Sequence, residues 1–461
     1  MREPDVVVVV PGILGSTLAH DGKLVWAPSA GAAVRAIRTL GGSIRALRLP
    51  EGIGDDEPDD KVMAVEVMPD LHVLPGIWSA NIGYGKLLTH LEREYQLNLP
   101  QPHEPDLLPN LVPFAYDWRL SNRVNARRLK ARVLPVLERW RALGGRFAGA
   151  RLVFVCHSMG GLVARWFVER EGGGEVTRRI VTIGTPHRGA LKALAQLVNG
   201  VRKGVGRLGV DLTELALSMP SMYELLPQYA CLEAGRGLVK VSETSALGLS
   251  TTMVADGVRF HDDLDAAGAR GGCALVPIVG TRQPTWTTAR ISGGRVEPSY
   301  AIEGEDERGD ATVPRLSATP AWVPPDSPGV RWVADQHGAL QGNASVFDEL
   351  ERALVASPTI RRGGGLELAV QVDELVLAGE PVEVRATVAG GQRVALRADV
   401  VGEAGQVVTA VRLYAADGGY RGTVEPLPPG AYQVTVRDLA DAVSVSPVTA
   451  ATLVWDPKVQ P

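Results

Sequence analysis

The chain has 461 residues, 45% of them hydrophobic and 22% charged, enough to bury a substantial core and to divide into two or three domains. A balance of 48 basic against 52 acidic residues leaves a formal charge of -4, so bulk charge recruits no nucleic acid through counterion release. Three widely spaced cysteines, Cys156, Cys231 and Cys273, make neither a disulfide framework nor a zinc pattern, which fits a reducing cytoplasm; no stretch holds the roughly 20 apolar residues of a membrane-spanning helix.

Met1 to Pro4 lead directly into the apolar run Val6 to Val10, too short for a signal-peptide core and followed by no small-residue cleavage site. Bounded by Pro11 and Gly12, that β-branched run predicts a fully buried strand that opens a sheet. Next, Val34, Ile37, Leu40, Ile44 and Leu47 recur at helical spacing, with Arg35, Arg38, Arg45 and Arg48 among them and no acid. Such a basic amphipathic helix either packs on the sheet with a solvated arginine face or makes a peripheral contact with anionic lipid. The acidic loop Glu51 to Asp60 precedes an alternating strand, Met63 to Met68, and a helix, Tyr84 to Tyr95.

A strand over Leu111 to Ala115, an arginine-rich helix from about Asn122 to Leu143, a buried strand over Arg151 to Cys156 and a helix over Gly160 to Glu171 follow. Ile180 to Ile183, Ala274 to Val279 and Arg331 to Ala334 supply further strands. Strands separated by helices predict an α/β fold with a mostly parallel sheet covered on both faces. The leucine-rich segment Ala190 to Leu232 is too long for an ordinary connection and reads as a helical cap. The expected organisation is an α/β domain over 1–360, with a cap at about 190–255, and a β-sandwich over 366–461.

The second domain is expected from short alternating runs, Leu366 to Val372, Val382 to Val388, Val394 to Val401, Val407 to Leu413 and Tyr432 to Val436, set between Gly and Pro turns. About seven strands suit an immunoglobulin-like or fibronectin-like sandwich, and Pro428 to Tyr432 resembles the turn before a tyrosine corner. It carries no visible chemistry and is a candidate surface for a protein partner.

Chemistry is concentrated elsewhere. Val153 to Gly161 places Ser158 between a buried strand and a helix, with Gly160 two positions later, the context of a nucleophile elbow. Cys156 stands where the usual first Gly of G-x-S-x-G would be, and is small enough to be tolerated. The alternative is a serine that merely caps the helix. A serine hydroxyl needs a base oriented by a carboxylate, in the chain order Ser, acid, His. His187 comes too early and His261 has no strand leading into it; His337 directly follows the strand Arg331 to Ala334 and has Gly338 beside it. Asp310, in the tight loop Gly309 to Pro314, is the preferred acid, with Asp306 and Asp335 as competitors that more often cap or solvate. The backbone N–H groups of Met159 and Ile13, the latter in the glycine-rich turn Pro11 to Ser16, are the expected oxyanion hole. No residue pattern calls for a metal or cofactor.

Together, Pro11 to Gly15, Tyr116-Asp117-Trp118-Arg119, His157 to Gly161, Gly309 to Pro314 and His337 to Leu340 resemble the lecithin:cholesterol acyltransferase family, over roughly residues 5 to 355. Pro220 to Pro227 is similar to a cap segment of that family's bacterial and plant members. The resemblance implies that 1–360 is a catalytic domain, an α/β-hydrolase sheet with a helical cap and an early lid segment at about 30–60, and a triad of Ser158, Asp310 and His337 with Ile13 and Met159 as the oxyanion hole. It also implies acyl transfer from a lipid ester to an alcohol or water, against the alternatives of a soluble carboxylesterase on small esters and an inactive scaffold acting through the sandwich. The chain departs from the family at Cys156 and in lacking a cysteine pair to staple the lid. The Tyr116 to Arg119 block reads as structural: Asp117 to cap the following helix, Trp118 to pack, Arg119 to pair.

Overall fold

The structure is a computed structural model that describes residues 5–27, 47–69, 83–100, 108–203, 210–235, 237–267, 273–324, 327, 329–354, 367–389, 394–403, 405–416, 418–439 and 445–456. Six strands make the main sheet: β1 (Val6–Val10), β2 (Leu111–Pro113), β3 (Leu152–His157), β4 (Thr177–Ile183), β5 (Ala274–Thr281) and β6 (Arg331–Ala334). Their order is β6-β5-β4-β3-β1-β2, and every neighbouring pair is parallel. The five valines of β1 are all buried, because this strand lies inside the sheet and helices cover it. The chain leaves β1 for β2 on one side and returns to β3 on the other. The carboxyl ends of β1 and β3 therefore flank the point where strand order reverses, the place where such sheets leave a crevice.

The helices Gly85–Tyr95, Asn122–Arg141 and Gly160–Arg170 agree with the spacing of their apolar residues to within two positions. Among the described residues, the leucine-rich segment after Ala190 holds the helices Leu191–Asn199, Thr213–Ser218 and Pro220–Tyr223 and a short strand pair, 202–203 with 210–211. It continues into a small four-stranded sheet built from 232–234, 237–239, 288–292 and 295–299, whose short mixed strands lack any apolar run to announce them. Of the basic pattern Val34 to Leu47, only Leu47 lies within the described residues. It is buried, and the neighbouring Arg48 pairs with Glu214 at 2.8 Å.

The Tyr116 to Arg119 block is structural, with one correction. Ser121, not Asp117, caps the helix Asn122–Arg141: its Oγ accepts from the N–H groups of Arg123 and Val124. Asp117 instead accepts from Arg119 at its backbone N–H, Nε and Nη2, while Arg119 Nη1 donates to the Leu47 carbonyl and to Asp60. Trp118 is fully buried and its Nε1 donates to the Ser16 carbonyl. The segment Pro220 to Pro227 docks on this block. Ser221 Oγ donates to the Trp118 carbonyl, and Glu224, whose carboxyl burial pushes up to about 8, accepts from the Asn122 backbone and side chain at 2.7 Å.

Among the described residues, the C-terminal part has its own apolar core and eight strands: β7 (Leu368–Val372), β8 (Leu375–Leu377), β9 (Val382–Val388), β10 (Leu396–Gly402), β11 (Val407–Ala416), β12 (Gly419–Val424), β13 (Gly430–Asp438) and β14 (Val448–Trp455). They hydrogen-bond in the order β7-β9-β12-β11-β10-β13-β14-β8. The ten-residue β11 pairs with β10 over most of its length and with β12 at its end, so one strand passes between the two layers of a curled sandwich. Tyr432 Oη donates to the Pro428 carbonyl at 2.7 Å, the hydrogen bond of a tyrosine corner. Among the described residues no helix is long and apolar enough to cross a membrane.

Arg119 and Asp117 are both buried, so removing one leaves the other charge without its partner. Arg119→Met is expected to lower the unfolding free energy by roughly 3–5 kcal/mol in urea titrations; a change below about 1 kcal/mol, the range of a surface ion pair, would assign the block no such role.

Candidate active site

Ser158 follows the last residue of β3 and has φ 52, a left-handed conformation that costs a non-glycine residue free energy and must be held by its surroundings. Its N–H donates to the Ile183 carbonyl of β4, and its carbonyl accepts from Thr185 Oγ1 at 2.8 Å and from the Gly161 N–H at 3.0 Å. The turn leaves no room for side chains around it. A Cβ at Gly160 would lie 2.4 Å from the carbonyl oxygens of Val10 and Pro11, and one at Gly12 would lie 2.8 Å from Ser158 Cβ. Cys156 is accommodated inside β3, fully buried, with its thiol pushed well up by burial.

Asp310 and His337 meet Ser158 from two later loops. His337 Nδ1 lies 2.7 Å from Asp310 Oδ2 and Nε2 lies 2.8 Å from Ser158 Oγ; all three residues are 1% exposed. With Nδ1–H donating to the carboxylate, Nε2 is left to accept the serine proton. Asp310 Oδ1 accepts from the Thr312 and Val313 N–H groups, and the His337 N–H donates to the Asp310 carbonyl at 2.7 Å, so the two loops hold each other. Gly280 and Gly184 make the space, since a Cβ at Gly280 would lie 2.4 Å from Asp310 Cβ and one at Gly184 would lie 3.3 Å from His337 Nδ1.

The competing residues have other partners. Asp306 is exposed and accepts from the Arg308 N–H. Asp335 is buried, and its oxygens accept from the N–H groups of Gln336 and Thr449 and from Asn343 Nδ2. His187 lies within hydrogen-bond distance of Thr182 and Arg165, and His261 donates to the Glu224 carbonyl; both rings are buried, which lowers their pKa values.

The turn Gly12 to Gly15 closes with the Gly15 N–H donating to the Gly12 carbonyl, and Leu14 has φ 62. Tyr116 Oη holds the Pro11 carbonyl, and Trp26 Nε1 the Leu14 carbonyl, so the family-like block at Tyr116 grips the turn from outside the site. Among the described residues, no acceptor is bonded to the Ile13 or Met159 N–H, and Met159 directly follows the elbow serine.

Two residues that the sequence reading passed over complete the site. His157 Nε2 faces the His337 carbonyl at 3.0 Å and must carry the proton there, so Nδ1 accepts from Tyr84 Oη at 2.8 Å. Tyr84 Oη in turn accepts from the Gly12 N–H at 2.7 Å. This buried series runs from the Gly12 turn to the backbone of His337. Adjacency to Ser158 is a sequence signal for His157; nothing in the sequence pairs it with Tyr84, 73 residues away. Among the described residues no group of three His, Cys, Asp or Glu side chains is placed to hold a metal ion.

Burial, and then the neighbouring His337, pull the His157 pKa from 6.5 down to about 3. The native ring stays neutral while the unfolded one takes a proton below about 6.5, so this contribution to stability is complete above pH 6.5 and is lost as the pH falls toward 3. His157→Gln is therefore expected to flatten the acid side of the stability profile over that window by up to about 1.4 kcal/mol per pH unit. Parallel slopes for the two proteins in urea titrations would contradict a neutral buried ring.

Residues 108–247, which include the elbow, match the family described as lecithin:cholesterol acyltransferase. The chain is 26% identical over 193 residues to phospholipase A(1) LCAT3 of Arabidopsis thaliana, covering 38% of this chain and 40% of that protein. It is 27% identical over 182 residues to the uncharacterized protein YJR098C of Saccharomyces cerevisiae, covering 39% of this chain and 23% of that one. It thus spans less than half the length of these curated relatives. Among solved structures, a Bacillus licheniformis lipase, BlEst2 in its propeptide form, overlaps 98% of this chain and 94% of its own, at 12% identity and a TM-score of 0.38. The family match thus lies across the elbow, which the parallel sheet places at the crevice, and over residues 108–247 the chain is similar to the lecithin:cholesterol acyltransferase family.

Proposed function

We propose that this chain is a serine-dependent acyl-transfer enzyme acting on lipid esters. Ser158 is the nucleophile, His337 the general base and then acid, Asp310 the residue that orients the imidazole, and the N–H groups of Ile13 and Met159 the oxyanion hole. The observation that carries the reading is the continuous hydrogen-bonded series Asp310, His337, Ser158, at 2.7 and 2.8 Å, on a strained strand-to-helix turn. A lipid ester as donor is supported by the family match and by the likeness to a plant phospholipase A(1). The three unpaired cysteines support a reducing compartment. Peripheral lipid contact through the basic segment 34–48 belongs to the same proposal and predicts weaker vesicle co-sedimentation on charge reversal of Arg35, Arg38 and Arg45.

The cycle follows from these roles. His337 Nε2 takes the Ser158 proton as Oγ attacks the ester carbonyl, and negative charge develops on the carbonyl oxygen, where the two amides stabilise it. As the tetrahedral intermediate collapses, the carbon–oxygen bond to the leaving alcohol breaks and His337 returns the proton to that oxygen. The Ser158 ester is then attacked by an acceptor hydroxyl, deprotonated by His337. Collapse releases the acylated acceptor and restores the serine proton. Water as acceptor gives a phospholipase or lipase, and a lipid alcohol gives an acyltransferase. Product mass spectrometry on mixed phospholipids, with and without added lipid alcohol, distinguishes the two; a preference for short nitrophenyl esters would favour a small-ester carboxylesterase.

Ser158→Ala is expected to reduce turnover by roughly 10^3- to 10^6-fold and Asp310→Asn by roughly 10^4-fold, with fluorophosphonate labelling abolished in the first. Near-normal turnover in either variant, or an unlabelled wild-type serine, would move the chemistry elsewhere or remove it. Tyr84→Phe, which takes the proton from His157 Nδ1 and the oxygen from the Gly12 N–H, is expected to lower kcat by about 10-fold through the loosened turn; an unchanged kcat would leave that network a packing role alone.

A further inference from the structure

The sandwich meets the catalytic part at the two loops that carry Asp310 and His337. Strand β7 is an edge strand, so one side of its backbone finds no partner within the sandwich sheet. Two glutamine side chains occupy that side. Gln283 Nε2 donates to the Leu368 carbonyl and Gln283 Oε1 accepts from the Val370 N–H, both at 3.0 Å, so its carboxamide pairs with the strand as a backbone peptide would. Gln336 Nε2 donates to the Val370 carbonyl at 2.7 Å. From β14, the Thr449 N–H donates to Asp335 Oδ1 at 3.0 Å.

Each of these residues leads within one or two bonds to the proposed triad. The Gln283 backbone exchanges hydrogen bonds with Gly309, next to Asp310, at 2.9 and 3.1 Å. Asp335 and Gln336 immediately precede His337, and Asp335 also accepts from Asn343, which caps the helix that follows. Gln283 and Asp335 are buried, at 0% and 2% exposure. A buried amide with both ends bonded holds its backbone closely, because releasing either bond leaves an unsatisfied polar group away from water.

We propose that the C-terminal sandwich is a positioning element of the reaction, with Gln283 and Gln336 as positioning residues through which strand β7 fixes the loops of Asp310 and His337, and Asp335 doing the same for β14. This rests on the reading of Ser158, Asp310 and His337 as the triad. The sandwich then serves the geometry of proton transfer, a task distinct from recruiting a partner. Its own edge strand is the template against which the two loops are set, and neither glutamine touches the reacting atoms.

The test uses the full-length chain and the shape-conserving variants Gln283→Met and Gln336→Met, singly and together. Lys192→Met serves as a control that severs a different contact across the same interface, the 2.8 Å pair with Glu374. Turnover of a nitrophenyl ester, fluorophosphonate labelling rate at Ser158 and Tm are measured for each. Gln283→Met and the double variant are expected to lower kcat and the labelling rate by about 10- to 100-fold, with KM within about threefold, since displacing a catalytic group by about an ångström has effects of that size. The control is expected to keep kcat within about twofold at whatever Tm it has, the range of a site away from the loops. Wild-type kcat in the double variant would overturn the proposal, as would an equal kcat loss in the control following a fall in Tm. Ser158→Ala run alongside separates the two readings: turnover surviving there removes the triad and the clamp with it, whereas its loss beside an active double variant removes the clamp alone.

Discussion

The site depends first on how closely the turn after β3 can be pressed against the end of β1. Gly160 lies so near the Val10 and Pro11 carbonyls that no side chain fits, and Gly12 is also too near Ser158 for a Cβ. Strand order makes this approach unavoidable, because β1 and β3 are neighbours on the two sides of the reversal and their carboxyl ends open on the same crevice. The left-handed φ of Ser158 follows from the same constraint: a strand that must become a helix within two residues has no relaxed path. The hydrogen bonds from Thr185 and to Ile183 hold that conformation, so strain near the chemistry is offset by neighbours on β4 and beyond.

Once that contact is made, the polar groups beside it have to be satisfied without water. Tyr84 and His157 do this for the Gly12 N–H and the His337 carbonyl, and in doing so they join the proposed oxyanion turn to the backbone of the proposed base. A fully bonded buried series of this kind admits one arrangement of its members, since each broken link leaves a desolvated donor or acceptor. The Tyr116 block and the segment around Glu224 extend the same logic outward, holding Pro11 and Ser16 from behind. Cys156, the departure from the usual elbow sequence, sits inside the strand as a small apolar residue and leaves the turn intact.

The acid and the histidine come from loops with little secondary structure of their own, so their precision has to be supplied by contacts. Part of it is mutual, through the His337 N–H and the Asp310 carbonyl, and part comes from the sandwich, whose edge strand bonds the side chains flanking both loops. Pairing that edge also removes a liability, because an uncovered strand edge is a template for association. One contact thus protects the sandwich and steadies the proposed triad.

The sequence by itself determined what is local in period or forced by residue type. The valines of β1 and the apolar spacing of the helices marked the layers of the α/β part. Alternation between Gly and Pro turns marked the sandwich down to Tyr432. Ser158 between strand and helix, followed in order by Asp310 and His337, identified a set of residues whose side chains do come within hydrogen-bond distance. Only the tertiary structure decided the rest: that Ser121 caps the helix assigned to Asp117, that Tyr84 reaches His157, that short mixed strands near 232 and 290 pair, and that Gln283 and Gln336 bond the sandwich. The physical reason is the same in each case. Periodicity and turn chemistry act over a few residues and leave a mark in the chain, whereas a single hydrogen bond across 73 or 87 positions places no constraint on its neighbours in sequence and exists only once the fold has brought the two ends together.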